Sequence, residues 1–260
     1  MCGIAGWLSI NPSADGHARL QKMADSIAHR GPDGEGFAQQ GCASFAHRRL
    51  AIVDLAGGAQ PMASHDQRLL ITFNGEIYNY RELMSELERE GASFSTRSDT
   101  EVILNIYRHW GAEGFARMRG MYAFVLWDEQ KKMALLARDP LGIKPLFYQY
   151  SSRELVFGSE AKAIVASHNG GAQLAESSLH LLMNFRYLPD QRTLFKDIVQ
   201  LAPGQVLQWQ EGRVSERYSI PAENSALVAD GLQALRESVH AHQVADVEVG
   251  AYLSGGVDSA

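Results

Sequence analysis

The sequence predicts an α/β layered fold in which two sheets are covered by helices. Three observations carry this. Short β-type runs arrive in clusters, not singly. Helical segments stand between the clusters in pairs, so the regular strand–helix–strand alternation of a parallel sheet is missing. An apolar run, Gly3 to Ile10, sets a buried strand almost at the first residue.

The elements follow in order. A helix carries Leu20, Met23 and Ile27 at helical spacing and ends at His29-Arg30-Gly31-Pro32-Asp33, a turn by composition. Ala43 to Ala46, Leu50 to Val53 and Leu69 to Phe73 read as short strands. Asn74-Gly75 is then a turn signal at a strand end. Tyr80 to Glu90 is a charged amphipathic helix. Asp99 or Thr100 caps another, which runs to Trp110 with Val102, Ile103, Ile106 and Tyr107 on its apolar side. Met121 to Asp128 and Met133 to Ala137 form a pair of strands around the polar tip Glu129 to Lys132. Pro145 to Tyr150 and Leu155 to Gly158 form a second pair. Residues 167–177 are polar and rich in Gly and Ser, a loop or hinge. Pro203-Gly204 opens a hairpin turning at Glu211-Gly212, and Ile220 to Asn224 reads as a linker. A helix from about Leu227 to Val244, a strand from Val247 to Leu253 and the loop Ser254-Gly255-Gly256-Val257-Asp258-Ser259 complete the chain. The sequence thus divides into a domain over 1–195, a hairpin and linker over 196–225, and the start of a second domain over 226–260. A strand entering a glycine loop is expected to lead into a helix and further βα units. None remain before Ala260, so the chain reads as a fragment truncated just after the loop.

Composition excludes several function classes. With 45% hydrophobic and 21% charged residues the chain is an ordinary globular protein. A formal net charge of −6 leaves no basic surplus to neutralise a phosphate backbone, which argues against nucleic-acid binding. Two cysteines, Cys2 and Cys42, are too few for a disulfide scaffold or a clustered zinc site. The apolar N-terminus has no basic segment and no cleavage site, and no run reaches the roughly 18 apolar residues of a membrane helix. A reducing cytoplasm is the default location.

Cys2 carries the first chemical signal. A small second residue permits removal of Met1, which leaves a thiol and a free α-amine on one residue. A free thiol, with a pKa of about 8.5, is only slightly ionised at neutral pH. An adjacent amine of pKa about 7.7–8.0 can accept its proton, so one residue supplies nucleophile and base. On its own, Cys2 reads more readily as a buried small apolar residue than as a nucleophile.

Seven strings in order give the residue its context: Cys2-Gly3-Ile4, His29 to Asp33, His47-Arg48-Arg49-Leu50-Ala51-Ile52-Val53-Asp54, Asn74-Gly75-Glu76-Ile77-Tyr78-Asn79, Ser98-Asp99-Thr100-Glu101, Arg138 to Leu146, and Gly158 to Lys162. Together they resemble the class II glutamine amidotransferases, and within that class the glutamine-hydrolysing asparagine synthetases, over roughly residues 2–260. The resemblance implies a four-layer αββα N-terminal-nucleophile hydrolase fold for about the first 190 to 200 residues and frequent homodimers. Glutamine hydrolysis passes through a tetrahedral oxyanion, which needs donors where the charge develops. The family's oxyanion hole maps onto Asn74 and Gly75, otherwise a plain hairpin turn. The glutamine carboxylate calls for a guanidinium. By resemblance this is Arg49, supported by backbone around Ile52 and Val53. The ammonium falls to Asp99 with Glu76 nearby; these read alternatively as a helix cap and a solvated charge. Arg30 is expected beside Cys2, ordering the terminus. His29, His47 and Cys42 receive no role.

The final strand and loop resemble the pyrophosphate loop of AMP-forming ATP enzymes; no Gly-Lys-Ser/Thr ending is present, so it is not a Walker A motif. Backbone N–H groups of Gly255 and Gly256 and the hydroxyls of Ser254 and Ser259 suit phosphate oxygens. The family's magnesium ligand maps onto Asp258. The implied reaction uses ATP and Mg2+ to adenylate a carboxylate, aspartate in asparagine synthetases, which ammonia from glutamine then attacks after travelling through an internal tunnel. The acceptor-choosing residues are expected beyond Ala260, and a related amidotransferase with another acceptor reads the same over this length. A non-catalytic glutamine-binding protein is the alternative of another class. The chain alone is expected to act only as a glutaminase.

Overall fold

The computed structural model describes residues 1–11, 16–168, 170–220 and 231–257. In chain order the elements are β1 (Gly3–Ser9), α1 (Gly16–Ser26), β2 (Gly34–Gln40), β3 (Ala43–Arg49), β4 (Met62–Ala63), β5 (Leu69–Ile77), α2 (Tyr80–Arg89) and α3 (Asp99–Trp110). They continue with β6 (Gly120–Asp128), β7 (Met133–Arg138), β8 (Phe147–Tyr150), β9 (Glu154–Gly158), α4 (Ala161–Ala166), α5 (Glu176–Phe185), β10 (Ile198–Gln200), β11 (Gln205–Gln210), β12 (Arg213–Ser219) and α6 (Gly231–Ala241).

The strands form two six-stranded sheets, ordered β10-β8-β9-β1-β3-β2 and β12-β11-β7-β6-β5-β4. Side chains alternate across a strand, and here both faces are used. In β6, Tyr122, Phe124 and Leu126 join a core with Leu83 of α2 and Val102, Ile103 and Ile106 of α3. Its alternate residues Ala123, Val125 and Trp127 join a second core, shared with Ile4, Leu8, Phe45 and Phe157 of the other sheet. In β1 the same alternation sends Ala5 and Trp7 to a third core, against Leu20, Met23 and Ile27 near α1 and Ile164 of α4. Three parallel apolar seams therefore separate four layers, helix–sheet–sheet–helix. Each large side chain buried in a seam contributes about 1.5–3 kcal/mol relative to exposure. Strands flanked on both faces read as continuous apolar runs, which explains why β1, β6 and β7 are legible in the sequence.

Several expectations need correcting. Leu50 to Val53 is an irregular loop: β3 absorbs residues 43–49 and ends there. Asn74-Gly75 is no turn, because β5 continues to Ile77 with Asn74 opposite Ala123 and Gly75 opposite Tyr122. The cap of α3 is Ser98, whose hydroxyl accepts the Thr100 N–H at 3.2 Å, so neither Asp99 nor Thr100 serves. The polar stretch after residue 167 ends in a helix, since α5 begins at Glu176. Val247 to Leu253 forms no strand, as no partner lies alongside it among the described residues. The segment read as a hairpin and linker from residue 196 supplies β10 to one sheet and β11 and β12 to the other. Ile220 belongs to the described residues, whereas 221–230 lie outside them.

Candidate active site

The antiparallel pairing of β1 with β3 sets Gly3 opposite Arg48, so the residue before β1 must lie beside the residues after β3. Cys2 Sγ accepts the Leu50 N–H at 3.3 Å and lies 3.4 Å from the Leu50 carbonyl. Arg30 Nε donates to the Cys2 carbonyl at 2.9 Å, and its guanidinium is held by Glu160 at 3.1 Å. Arg30 therefore stands where the sequence puts it, fixing the backbone of the second residue. Burial pushes the Cys2 thiol pKa up; the Leu50 N–H bond, the terminal amine and Arg49 oppose this. That amine belongs to Met1 here, and burial lowers its pKa.

A cleft opens at this point, lined by Cys2, Arg49, Asn74, Glu76, Asp99 and Lys144 among others. Asn74 reaches it through the alternation of β5. Leu70 and Thr72 turn toward the opposite sheet, where Thr72 Oγ1 approaches His47 Nδ1 at 3.4 Å, and Asn74 follows the same parity. Its side chain is 1% exposed, and its Nδ2 has no hydrogen-bond partner among the described residues. Buried donors are nearly always paired; of the seven buried side-chain atoms without a partner among the described residues, this is the one whose residue lines the cleft.

Gly75 follows from the same ladder. Opposite it, Tyr122 spends both backbone groups on Asp139, away from β5. Gly75 is thus in a non-bonded pair with β6, and its own N–H points to the open edge of β5, between the Phe73 and Ile77 N–H groups. Those neighbours are occupied: Phe73 donates to Gln60 Oε1 at 2.7 Å and Ile77 to Asp99 Oδ2 at 3.1 Å. The requirement for glycine comes from the neighbouring strand. A Cβ there would stand 2.3 Å from the Met121 carbonyl oxygen.

Arg49 is fixed by the loop that follows it, donating to the Asp54 carbonyl at 2.7 Å and the Leu55 carbonyl at 3.0 Å. Ile52 and Val53 line the same wall, and the Ile52 carbonyl accepts the Asp246 N–H at 2.9 Å. Asp99 opens α3 without capping it, leaving its carboxyl at the cleft. Burial pushes its pKa up to about 7, the Ile77 N–H opposes this, and the charge of Glu76 adds to it. Burial also raises Glu76, with Lys144 opposing. The cleft therefore presents a guanidinium, two carboxyls, a thiol and an unspent amide donor, a set able to bind an amino acid at both charged ends and attack its side chain.

Gln60 and Lys144 line the cleft without a role assigned from the sequence. Gln60 joins the β5 edge to α3, because its Nε2 donates to Thr100 Oγ1 at 3.2 Å. Lys144 is only 5% exposed. Its place is set by two buried residues six and five positions earlier. Arg138 donates to the carbonyls of Lys144, Leu201 and Gly142. Asp139 accepts the N–H groups of Leu141, Ile143, Lys144 and Tyr122. The string Arg138 to Leu146 was the available signal. His47 is buried with its pKa pushed down to about 3, a neutral residue between the sheets.

The second motif behaves differently. Ser254, Gly255 and Gly256 are exposed, and they are not gathered with the cleft residues. A Cβ at Gly255 would meet nothing within 4 Å. Asp258 and Ser259 lie outside the described residues.

Comparison with known proteins gives two family matches along the chain. A glutamine amidotransferase domain model matches residues 1–219, and an asparagine synthase model matches residues 231–260. The chain is 37% identical over 270 residues to glutamine-hydrolyzing asparagine synthetase 1 of Bacillus subtilis strain 168, covering all of this chain and 43% of that protein. It is 34% identical to glutamine-hydrolyzing asparagine synthetase 3 of the same organism, covering 44% of it. The chain thus spans less than half the length of these relatives. Among solved structures, glutamine phosphoribosylpyrophosphate amidotransferase from B. subtilis superposes with a TM-score of 0.63 at 20% identity. That match covers 85% of this chain and 50% of the other, and it establishes a shared fold. With a family match running from the first residue to the end of β12, over the same strands that build the cleft, the chain belongs to the glutamine amidotransferase domain family.

Proposed function

We propose that this chain hydrolyses L-glutamine to glutamate and ammonia, with Cys2 as nucleophile after removal of Met1. The observation that carries the reading is the buried, unpartnered Nδ2 of Asn74 in the cleft that Cys2 lines. Leaving a buried donor unpaired costs about 1–3 kcal/mol, and the geometry makes sense if an anion meets it during reaction. Cys2 Sγ attacks the side-chain amide carbon while the α-amine of Cys2 takes the thiol proton and passes it to the departing nitrogen. The carbonyl oxygen becomes an oxyanion, received by Asn74 Nδ2–H and the Gly75 N–H. Ammonia leaves, and water hydrolyses the resulting thioester. Arg49 holds the glutamine carboxylate, with the backbone of Ile52 and Val53 around it. Asp99, with Glu76 near, holds the ammonium.

The rest of the reading concerns a longer protein. We take residues 226–260 as the start of a synthetase domain and the whole as a glutamine-hydrolysing asparagine synthetase of the cytoplasm, supported by the asparagine synthase match and the named relatives. There ATP and Mg2+ would activate aspartate for attack by the ammonia. In the described part of the glycine loop, Ser254, Gly255 and Gly256 are exposed.

Glutamate release from L-glutamine, measured beside Cys2→Ala with intact mass to follow Met1, tests the glutaminase. Turnover that vanishes in the variant supports Cys2. A folded, Met1-free chain without turnover overturns an autonomous glutaminase.

A further inference from the structure

Lys144 is the one lysine in the cleft, and nothing in the glutaminase chemistry above uses it. It is not a surface lysine that happens to reach inward. Its N–H donates to Asp139 Oδ2 at 3.0 Å and its carbonyl accepts Arg138 Nε at 2.8 Å, so the main chain is pinned on both sides. Its side chain is buried, lines the cleft with Cys2 and Glu76, and forms no ion pair within 4 Å among the described residues. A buried cation without a contact partner is costly unless a negative charge nearby offsets it.

Two groups can offset it. Burial lowers the Lys144 pKa from its ordinary value, Glu76 and Cys2 oppose this by favouring the charged lysine, and Lys144 in turn favours ionised Glu76. The charges of the cleft then balance when glutamine binds. Arg49 meets the substrate carboxylate, Asp99 meets its ammonium, and Glu76 is matched by Lys144. The proton that Cys2 gives up goes to its own α-amine, so a thiolate forms beside an ammonium and the sulfur carries new negative charge in a buried place. The thiol sits where burial resists that charge, faced by the terminal amine, Arg49 and Asp99.

We propose that Lys144 is a positioning residue of the glutaminase site: its ammonium, fixed at the cleft wall by the Arg138–Asp139 clamp, supplies the positive field that stabilises Cys2 as a thiolate. It acts through Cys2 and does not touch substrate. The proton leaves Cys2 for the α-amine, as above; Lys144 keeps its own. This rests on Cys2 being the nucleophile, and the test separates the two ideas.

The experiment is the pH profile of iodoacetamide alkylation at Cys2, in Met1-free protein carrying Cys42→Ser so that a single thiol reports. Alkylation needs no glutamine, so it reads Lys144 even if glutamine hydrolysis fails. Lys144→Met, which keeps the stem and removes the charge, is expected to shift the profile upward by about one pH unit, roughly tenfold slower reaction at neutral pH. Lys144→Arg is expected to restore the profile. In turnover, Lys144→Met lowers kcat about tenfold with KM changed less than about twofold. A folded Lys144→Met protein with the parent alkylation profile overturns the proposal, because a purely structural lysine would leave the thiol unmoved. If Lys144→Met does not fold, Lys144→Gln carries the same two outcomes.

Discussion

Asn74-Gly75 and Gly255-Gly256 are both short glycine-bearing motifs at strand ends by sequence, and they stand at opposite extremes of packing. The first is locked into β5 against β6, with a backbone oxygen 2.3 Å from where a side chain would begin. The second is exposed, with open space around Gly255. The chemistry attributed to each is similar, since both offer N–H groups to an anion. What differs is the surrounding frame. Donors become a site only when neighbouring elements hold them in one direction, and β6, Gln60 and Asp99 do that for the first motif.

Substitutions can break this contrast. The largest effect is expected at Gly75→Ala, which pushes a methyl into the Met121 carbonyl and costs about 3 kcal/mol or more; urea unfolding measures it. Asn74→Ala comes next and separates stability from activity. It removes the unpartnered donor, so stability is unchanged or slightly higher, while glutamine turnover falls about 10²–10³-fold. A turnover loss that tracks a loss of stability would sink the oxyanion role.

Asp99→Asn is expected to have a smaller effect, with a pH signature. The folded chain keeps a proton on Asp99 between its ordinary value of 3.8 and about 7, which the unfolded chain releases. Unfolding free energy therefore falls as pH rises through that window. The Asn variant lacks that fall. It gains stability over the parent at the upper end of the window and little at the lower end, while KM for glutamine rises about tenfold from loss of a charged hydrogen bond. Denaturation at several pH values together with KM checks both. Gly255→Ala is expected to change stability by less than about 0.5 kcal/mol and to leave glutaminase turnover alone.

The sequence reading succeeds where burial is two-sided and fails where a distant partner decides. β6 and β7 announce themselves because each face meets a core. Asn74-Gly75 is misread because a local turn signature is overridden by pairing with residues 122 and 123. Leu50 to Val53 has strand-like composition, but the ladder ends at Arg49 and the loop wraps the Arg49 guanidinium. β2 goes unseen because GEGFAQQ lacks apolar alternation and is an edge strand. Cys2, Arg49, Glu76 and Asp99 line one cleft and Arg30 bonds to the Cys2 carbonyl, whereas Lys144 is marked only by the string around it, which assigns it no role. Its burial depends on Arg138 and Asp139 bonding to a loop whose shape the residue itself does not encode.

That clamp has a practical side. Arg138 and Asp139 grip residues 141–144 through main-chain atoms alone, while the side chains of Leu141 and Ile143 face outward, 75% and 44% exposed. The loop's shape is thus insulated from the identity of its outward residues. Position 141 is a place to attach a fluorophore a few residues from the cleft wall, reporting on events inside it without rewriting the segment that shapes it.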